Sequence, residues 1–384
     1  MIPYGRQSIS DRDIQAVVEV LKSDYLTQGP AVPQFEHAIA QYCGVKYAVA
    51  VNSATSALHI ACLALGVTKG DIVWTSPITF VASANCALYC GAEVDFVDID
   101  PNTYNISVIQ LKNKLELAEK AGKLPKVVIP VHLAGQSCDM EAIQALANQY
   151  GFKIIEDASH AIGAKYNNQP IGSCKFSDIT IFSFHPVKII TTGEGGMALT
   201  NNAEIADHMQ LLRSHGITRD TKKMTQQPDG SWYYQQIGLG FNYRMTDIQA
   251  ALGLSQFNRL DAFVAQRHSI VESYQLQLSE KVVIKPWQHP DTYSAYHLYI
   301  VQLKLESLQT SHQQAFEHLR ASGIGVNLHY IPIYKQPYYQ VLGYRESDFP
   351  NAEQYYARAI SLPIHPDLTP EQQEKVIQII NDFK

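Results

Sequence analysis

An α/β fold, with a mostly parallel sheet sandwiched by helices and a smaller α+β unit after it, is predicted by two features of the chain. Between about residues 45 and 200, seven short apolar runs alternate with helix-like stretches, and after about residue 250 that rhythm changes. In order the runs are YAVAV, IVWT, VDFVDI, VVIPV, KIIED, ITIFSF and GMALT, separated by segments such as SALHIACLAL and MEAIQALANQY. VVIPV and ITIFSF are almost continuously apolar, as strands covered by helices on both faces must be, and are expected at the centre of the sheet. Beyond residue 250 come a helical stretch, FNRLDAFVAQRHSIVESYQ, a strand-like AYHLYIVQL, a helix around HQQAFEHLRASG and a terminal helix opened by Thr369-Pro370. A large domain over 1–250 and a small one over 251–384 are therefore expected. The most polar stretch, TRDTKKMTQQPDGSWYYQQ, reads as a long exposed loop.

Composition narrows the function classes. An apolar fraction of 46% and a charged fraction of 17% are ordinary for a globular protein, and no run approaches the ~20 apolar residues that span a bilayer. The start, MIPYGRQSISDRD, lacks a basic segment followed by an apolar one, so no secretory signal is read and the cytoplasm is expected. A formal net charge of −6 without a concentrated basic stripe argues against nucleic-acid binding and leaves small molecules as partners. The six cysteines are scattered without a C-x-x-C pair, so neither a zinc site nor a disulfide framework is indicated, and no metal is expected.

Ligands of open α/β sheets gather where strands end. Asp157 closes KIIED, where it is either an N-cap of the following turn or a functional carboxylate. SFHPVKIITTGEGG begins at the end of ITIFSF and presents Ser183, His185 and Lys188. Lys188 is either a surface lysine or, given its apolar neighbours Val187, Ile189 and Ile190, a buried amine of lowered pKa suited to nucleophilic work. GEGGMA formally matches G-x-G-x-x-A, but its glycines precede a strand instead of opening a helix, so a tight turn is the better reading. At NSATSALHIACLAL a strand leads into a helix whose first N–H groups, near Ala54, Thr55 and Ser56, could hold a phosphate or simply belong to a Ser/Thr helix start.

Taken in order, DYLTQGP, NSATSALH, SPITFVASANC, EDASHAIGA, SFHPVKIITTGEGG, SHGITRD, GFNYRMTDIQAALGLSQ and HYIPIY make a set that resembles the pyridoxal 5'-phosphate (PLP) dependent sugar aminotransferases of the DegT family over nearly the whole chain. The resemblance implies the fold type I architecture of PLP-dependent transferases and a homodimer with shared sites. It makes Lys188 the Schiff-base residue and proton shuttle, and Asp157 the partner of the pyridine nitrogen. Phe80 would lie against the cofactor ring, and His160, where many relatives have Gln, would bond its 3'-oxygen. Phosphate contacts are implied for Ala54, Thr55, Ser183 and, from a second subunit, Asn242. Substrate contacts are implied for Tyr4, Tyr25, Leu26, Thr27, His329 and Tyr330. The implied reaction takes an amino group from L-glutamate, leaving 2-oxoglutarate, to C4 of a UDP-4-keto-6-deoxy-N-acetylhexose. Another UDP- or dTDP-linked keto sugar is the alternative, and a non-catalytic PLP-binding sensor a remote one. A dehydratase branch of the family carries histidine in place of the lysine, so Lys188 weighs against that chemistry.

Overall fold

The computed structural model describes residues 1–383; Lys384, the last residue of the expected small domain, lies outside them. All seven apolar runs become strands of one sheet: β1 (Tyr47–Val51), β2 (Ile72–Thr75), β3 (Glu93–Phe96), β4 (Val127–Ile129), β5 (Lys153–Asp157) and, after a small hairpin of β6 (Lys165–Tyr166) and β7 (Gln169–Pro170), β8 (Ile179–Ser183) and β9 (Gly196–Thr200). Their spatial order is β1-β9-β8-β5-β4-β2-β3. The pairs from β8 across to β3 are parallel, whereas β9 runs antiparallel to both β8 and β1. VVIPV and ITIFSF thus flank β5 in the middle of the sheet, as their composition predicts.

Strand residues alternate between two buried clusters because successive side chains point to opposite faces. Ile154, Phe182 and Leu199 pack on one side; Ile155, Ile179, Ile181 and Ala198 pack on the other. Burying each of the larger of these side chains contributes about 1.5 to 3 kcal/mol, and a buried polar pair on the same strands, Thr180 on β8 and Glu156 on β5, is satisfied by a hydrogen bond from Thr180 Oγ1 to Glu156 Oε1 at 3.1 Å. Two helices, α1 (Asp11–Leu21) and α2 (Ala31–Cys43), precede the sheet and are invisible to a strand–helix rhythm that starts near residue 45. Between β1 and β2 lies α3 (Ala54–Ala64), capped by Ser53 and buried along Ala57, Leu58, Ile60, Ala61 and Cys62; α4 (Ala82–Tyr89) follows β2.

The C-terminal part folds around a second sheet of Val283–Ile284, Tyr299–Leu303 and Ala359–Leu362, packed by helices Leu260–Gln277, His312–Ala321 and Pro370–Asn381. The last of these starts at the Thr369-Pro370 signal read from the sequence, where Thr369 and Gln372 also close a capping box. The N-terminus is tied to this part: Gly325 N–H donates to Ile2 O at 2.6 Å and Ile364 N–H to Tyr4 O at 2.9 Å. The long polar stretch is not structureless, since Ile217–Thr218 pairs with Gln235–Gln236 and closes it as an excursion whose Trp232 and Tyr234 are exposed. All six cysteines are free, and none of the helices described is long and apolar enough to cross a membrane.

Candidate active site

A cavity of about 530 Å³ opens where β5 and β8 end beside the start of α3. Asp157 is the last residue of β5 and is buried. Its Oδ2 accepts from Ser83 Oγ at 2.6 Å and its Oδ1 from Ser159 N–H at 3.1 Å, so two donors fix the carboxylate against the cavity wall. It caps no helix.

Lys188 stands on the loop that leaves β8. That loop is folded back on the strand end by Thr192 N–H and Thr191 Oγ1–H, both donating to Phe184 O at 3.0 Å, and by Phe184 N–H donating to Gly195 O at 2.9 Å. Buried Ile189 and Ile190 pin the chain beside the turn. Burial pulls the Lys188 amine down to about 8, and the negative charge of Asp157 offsets only part of that pull. At pH 7.4 roughly a fifth of such an amine is neutral, against about one part in a thousand for an exposed lysine. The amine is therefore ready to act as a nucleophile.

The start of α3 turns free N–H donors toward the cavity. Ser53 satisfies the N–H of Ser56 at 3.1 Å, while the N–H groups of Ala54 and Thr55, first in α3, have no intrahelical acceptor and border the cavity. Close approach of β9 to this helix start requires a glycine: a Cβ on Gly196 would lie 2.5 Å from Ala54 N. The segment GEGGMA is accordingly a turn, with Gly193 at φ 80°, that leads into β9 and not into a helix.

Four histidines line the same cavity: His185, which is exposed, and His160, His297 and His329, which are the three buried ones. Burial drives all three down, His329 to about 3, and the nearby Lys188 charge adds to the effect, so they are neutral near pH 7. His160 Nδ1 lies 3.2 Å from Ala134 N and its Nε2 3.2 Å from Tyr330 Oη. His329 Nδ1 meets Ser361 Oγ at 2.7 Å, and the Tyr4 ring packs 5.2 Å from it, centroid to centroid.

Of the residues singled out from the sequence, the cavity brings together Tyr4, Ala54, Thr55, Phe80, Asp157, His160, Ser183, Lys188, His329 and Tyr330. Phe80 is 58% exposed, with its ring 6.2 Å from that of Tyr330 at the rim. Tyr25, Leu26, Thr27 and Asn242 are exposed and do not line this cavity. The two segments that carry them adjoin, through Asp247 N–H donating to Leu26 O at 3.0 Å and a bridge between Thr27 and Thr246. Sequence reasoning missed Ser83, Glu194, His297 and Asn327. His297 sits in AYHLYIVQL just before a buried strand, where a histidine reads as core, and no local signal ties Ser83 to Asp157, 74 positions away.

Residues 7–381 match the model of the DegT/DnrJ/EryC1/StrS aminotransferase family. The chain is 41% identical over its whole length, and 97% of the relative's, to the spore coat polysaccharide biosynthesis protein SpsC of Bacillus subtilis. It is 39% identical to the UDP-4-amino-4,6-dideoxy-N-acetyl-beta-L-altrosamine transaminase of Campylobacter jejuni, over 96% of this chain and 93% of that one. Its fold is similar to that of Helicobacter pylori PseC, an aminotransferase involved in the biosynthesis of pseudoaminic acid, with a TM-score of 0.89 at 31% identity over 99% of this chain and 98% of that one. With a family match over nearly its full length and this cavity at the strand ends, the chain belongs to the DegT/DnrJ/EryC1/StrS aminotransferase family and is a PLP-dependent sugar aminotransferase.

Proposed function

We propose that the enzyme moves the amino group of L-glutamate to C4 of UDP-2-acetamido-2,6-dideoxy-beta-L-arabino-hexos-4-ulose, giving 2-oxoglutarate and UDP-4-amino-4,6-dideoxy-N-acetyl-beta-L-altrosamine, a step of pseudaminic acid biosynthesis. The observation that carries amino transfer is a lysine amine lowered to about 8 in one cavity with a buried carboxylate and a helix N-terminus. The choice of sugar is supported by the 39% identity to the altrosamine transaminase.

The residues present fit PLP. Lys188 would hold it through Nζ, Asp157 would keep a proton on its pyridine nitrogen, and the N–H groups of Ala54 and Thr55 with the Ser183 hydroxyl would receive its phosphate. Phe80 would present a flat apolar face to the ring. When bound, the cofactor supplies the carbonyl that accepts the amino group and a conjugated ring that draws electrons from the reacting carbon. Lys188 Nζ then takes the proton from the donor's α-carbon, and in the second half-reaction delivers one to C4 of the sugar. Taking a proton needs the neutral amine and delivering one needs its protonated form, and an amine lowered to about 8 exchanges readily between the two near pH 7. Tyr4, His329 and Tyr330 would orient the sugar, so that binding energy far from C4 is used to align the ketone.

Asn242 and the Tyr25-to-Thr27 segment lie outside the chain's own cavity and would serve the cavity of a second copy, which makes the working unit a homodimer. Mixed dimers test this. If one chain carries Lys188→Ala and the other Asn242→Asp, one site holds both lesions and the other none, so turnover recovers to about half the wild-type value per dimer. A heterodimer as inactive as its two parents would remove the shared site.

For the substrate, purified enzyme is incubated with L-glutamate and a panel of 4-keto sugar nucleotides, with products identified by mass spectrometry and NMR. UDP-linked 4-keto-6-deoxy sugars bearing an N-acetyl group are expected to exceed dTDP-linked ones at equal concentration by tenfold or more in kcat/KM. A reversed order would assign the enzyme to a different nucleotide sugar.

A further inference from the structure

We propose that Asp247 is a positioning residue that acts on the sugar site of a second copy: its buried carboxylate holds the Tyr25-to-Thr27 segment of its own chain in the form that the other copy's cavity receives. The inference rests on the shared-site reading above and names the side chain on which the donated segment depends.

Asp247 is 1% exposed and opens the helix Asp247–Phe257. Its Oδ2 accepts from Gly29 N–H at 2.7 Å, and its Oδ1 from Ala31 N–H at 2.8 Å and Val32 N–H at 3.3 Å. Ala31 and Val32 begin α2, whose N-cap position is Pro30, a residue with no side-chain acceptor to offer. A carboxylate 216 positions from Ala31 therefore caps α2 while standing in the first turn of its own helix, and both helix dipoles favour it there.

A second tie lies beside the first. Asp247 N–H donates to Leu26 O at 3.0 Å, and Thr27 bridges to Thr246. Between these ties the chain turns tightly: Gln28 takes φ 57°, and a Cβ on Gly29 would lie 2.4 Å from that of Tyr25. A left-handed non-glycine residue persists where its surroundings over-determine it, and here the carboxylate does so. The side chains carried by this turn are apolar and uncovered, with Tyr25 56% and Leu26 47% exposed. Holding their backbone before substrate arrives removes the ordering cost that a loose segment would add to binding. The same helix start also touches the chain's own cavity, where Gln249 Nε2 donates to Glu194 O at 2.7 Å, so an effect within one chain is the competing outcome.

Asp247→Asn releases the turn selectively. The amide oxygen can still accept from Ala31 and Val32, but its nitrogen is set against Gly29 N–H, donor facing donor. In the variant homodimer KM for the UDP-4-keto sugar is expected to rise about tenfold, the size of one lost hydrogen bond to a charged group, while kcat stays within about twofold. Formation of 2-oxoglutarate from L-glutamate alone should keep its rate, and amide exchange at Gly29 should quicken. An unchanged KM, or an equal loss in both half-reactions, would overturn the inference.

A mixed dimer with Lys188→Ala fixes the direction. Its one intact lysine stands on the Asp247→Asn chain, and that site receives its segment from the other chain, whose Asp247 is unaltered, so a wild-type KM is expected. A raised KM there, while the Lys188→Ala and Asn242→Asp mixture recovers, would overturn the inference and leave the shared site standing. No recovery in the latter mixture would remove both. If Asp247→Asn does not fold, Gly29→Ala displaces the same turn through its contact with Tyr25. That variant should show the same split between half-reactions and the same return of KM in the mixture, and its failure to do so would overturn the inference.

Discussion

Lys188→Ala is expected to abolish amino transfer, lowering kcat by about 10⁴-fold or more, because in the proposed mechanism one side chain supplies both the attachment of the cofactor and the proton transfers. The fold should survive. The loop around Lys188 is held by backbone bonds to Phe184 and by buried Ile189 and Ile190, none of which involves the amine. Circular dichroism and the thermal midpoint should match the wild type while turnover vanishes. The lowered amine gives a second readout: the rate at which PLP attaches to the cofactor-free protein should climb with pH through about 8 and then level off. The sign follows from the neutral form being the nucleophile, a form that an ordinary lysine would reach only near pH 10.4. Residual turnover at the wild-type rate in Lys188→Ala would move the chemistry to another residue.

Asp157→Asn is the second large effect, expected to slow turnover by about 10²- to 10³-fold with the fold intact. The amide can still accept from Ser159 N–H through its oxygen, and its nitrogen can donate to Ser83 Oγ once that hydroxyl turns toward Thr79 Oγ1, 2.8 Å away. What it cannot do is hold a proton on the pyridine nitrogen by charge. Single-turnover kinetics with L-glutamate isolate the proton-transfer step, and an unchanged rate there would remove Asp157 from its assigned role.

The sheet was legible because burial on both faces writes itself into composition: Ile154 and Ile155 enter opposite clusters, so β5 shows no polar alternation to confuse it. Lys188 and Asp157 were legible for a related reason, since a polar residue at the end of an apolar run stands where the sheet opens to a ligand. The turn at Gly193 to Gly196 was legible from the apolar run MALT on its C-terminal side, which makes a strand where a dinucleotide fingerprint would open a helix. Other features were not. Nothing local marks His297, which precedes a buried strand and looks like core. The bond between His160 and Tyr330 joins positions 170 apart, a separation at which no periodicity carries information, and its direction depends on a backbone N–H at Ala134 that no side-chain pattern encodes. Asn242 and the Tyr25-to-Thr27 segment meet only on the folded surface, so their separation from the chain's own cavity appears with the coordinates.

In the proposed mechanism Lys188 and Asp157 run amino transfer in two separable halves, with the amino group resting on the enzyme between them. Mixing PLP-loaded enzyme with L-glutamate alone, and measuring 2-oxoglutarate after rapid quench, tests it most directly. The expected result is stoichiometric 2-oxoglutarate per chain together with loss of the lysine-bound chromophore, and recovery of that chromophore when the UDP-4-keto sugar is then added. No 2-oxoglutarate until both substrates are present would contradict it.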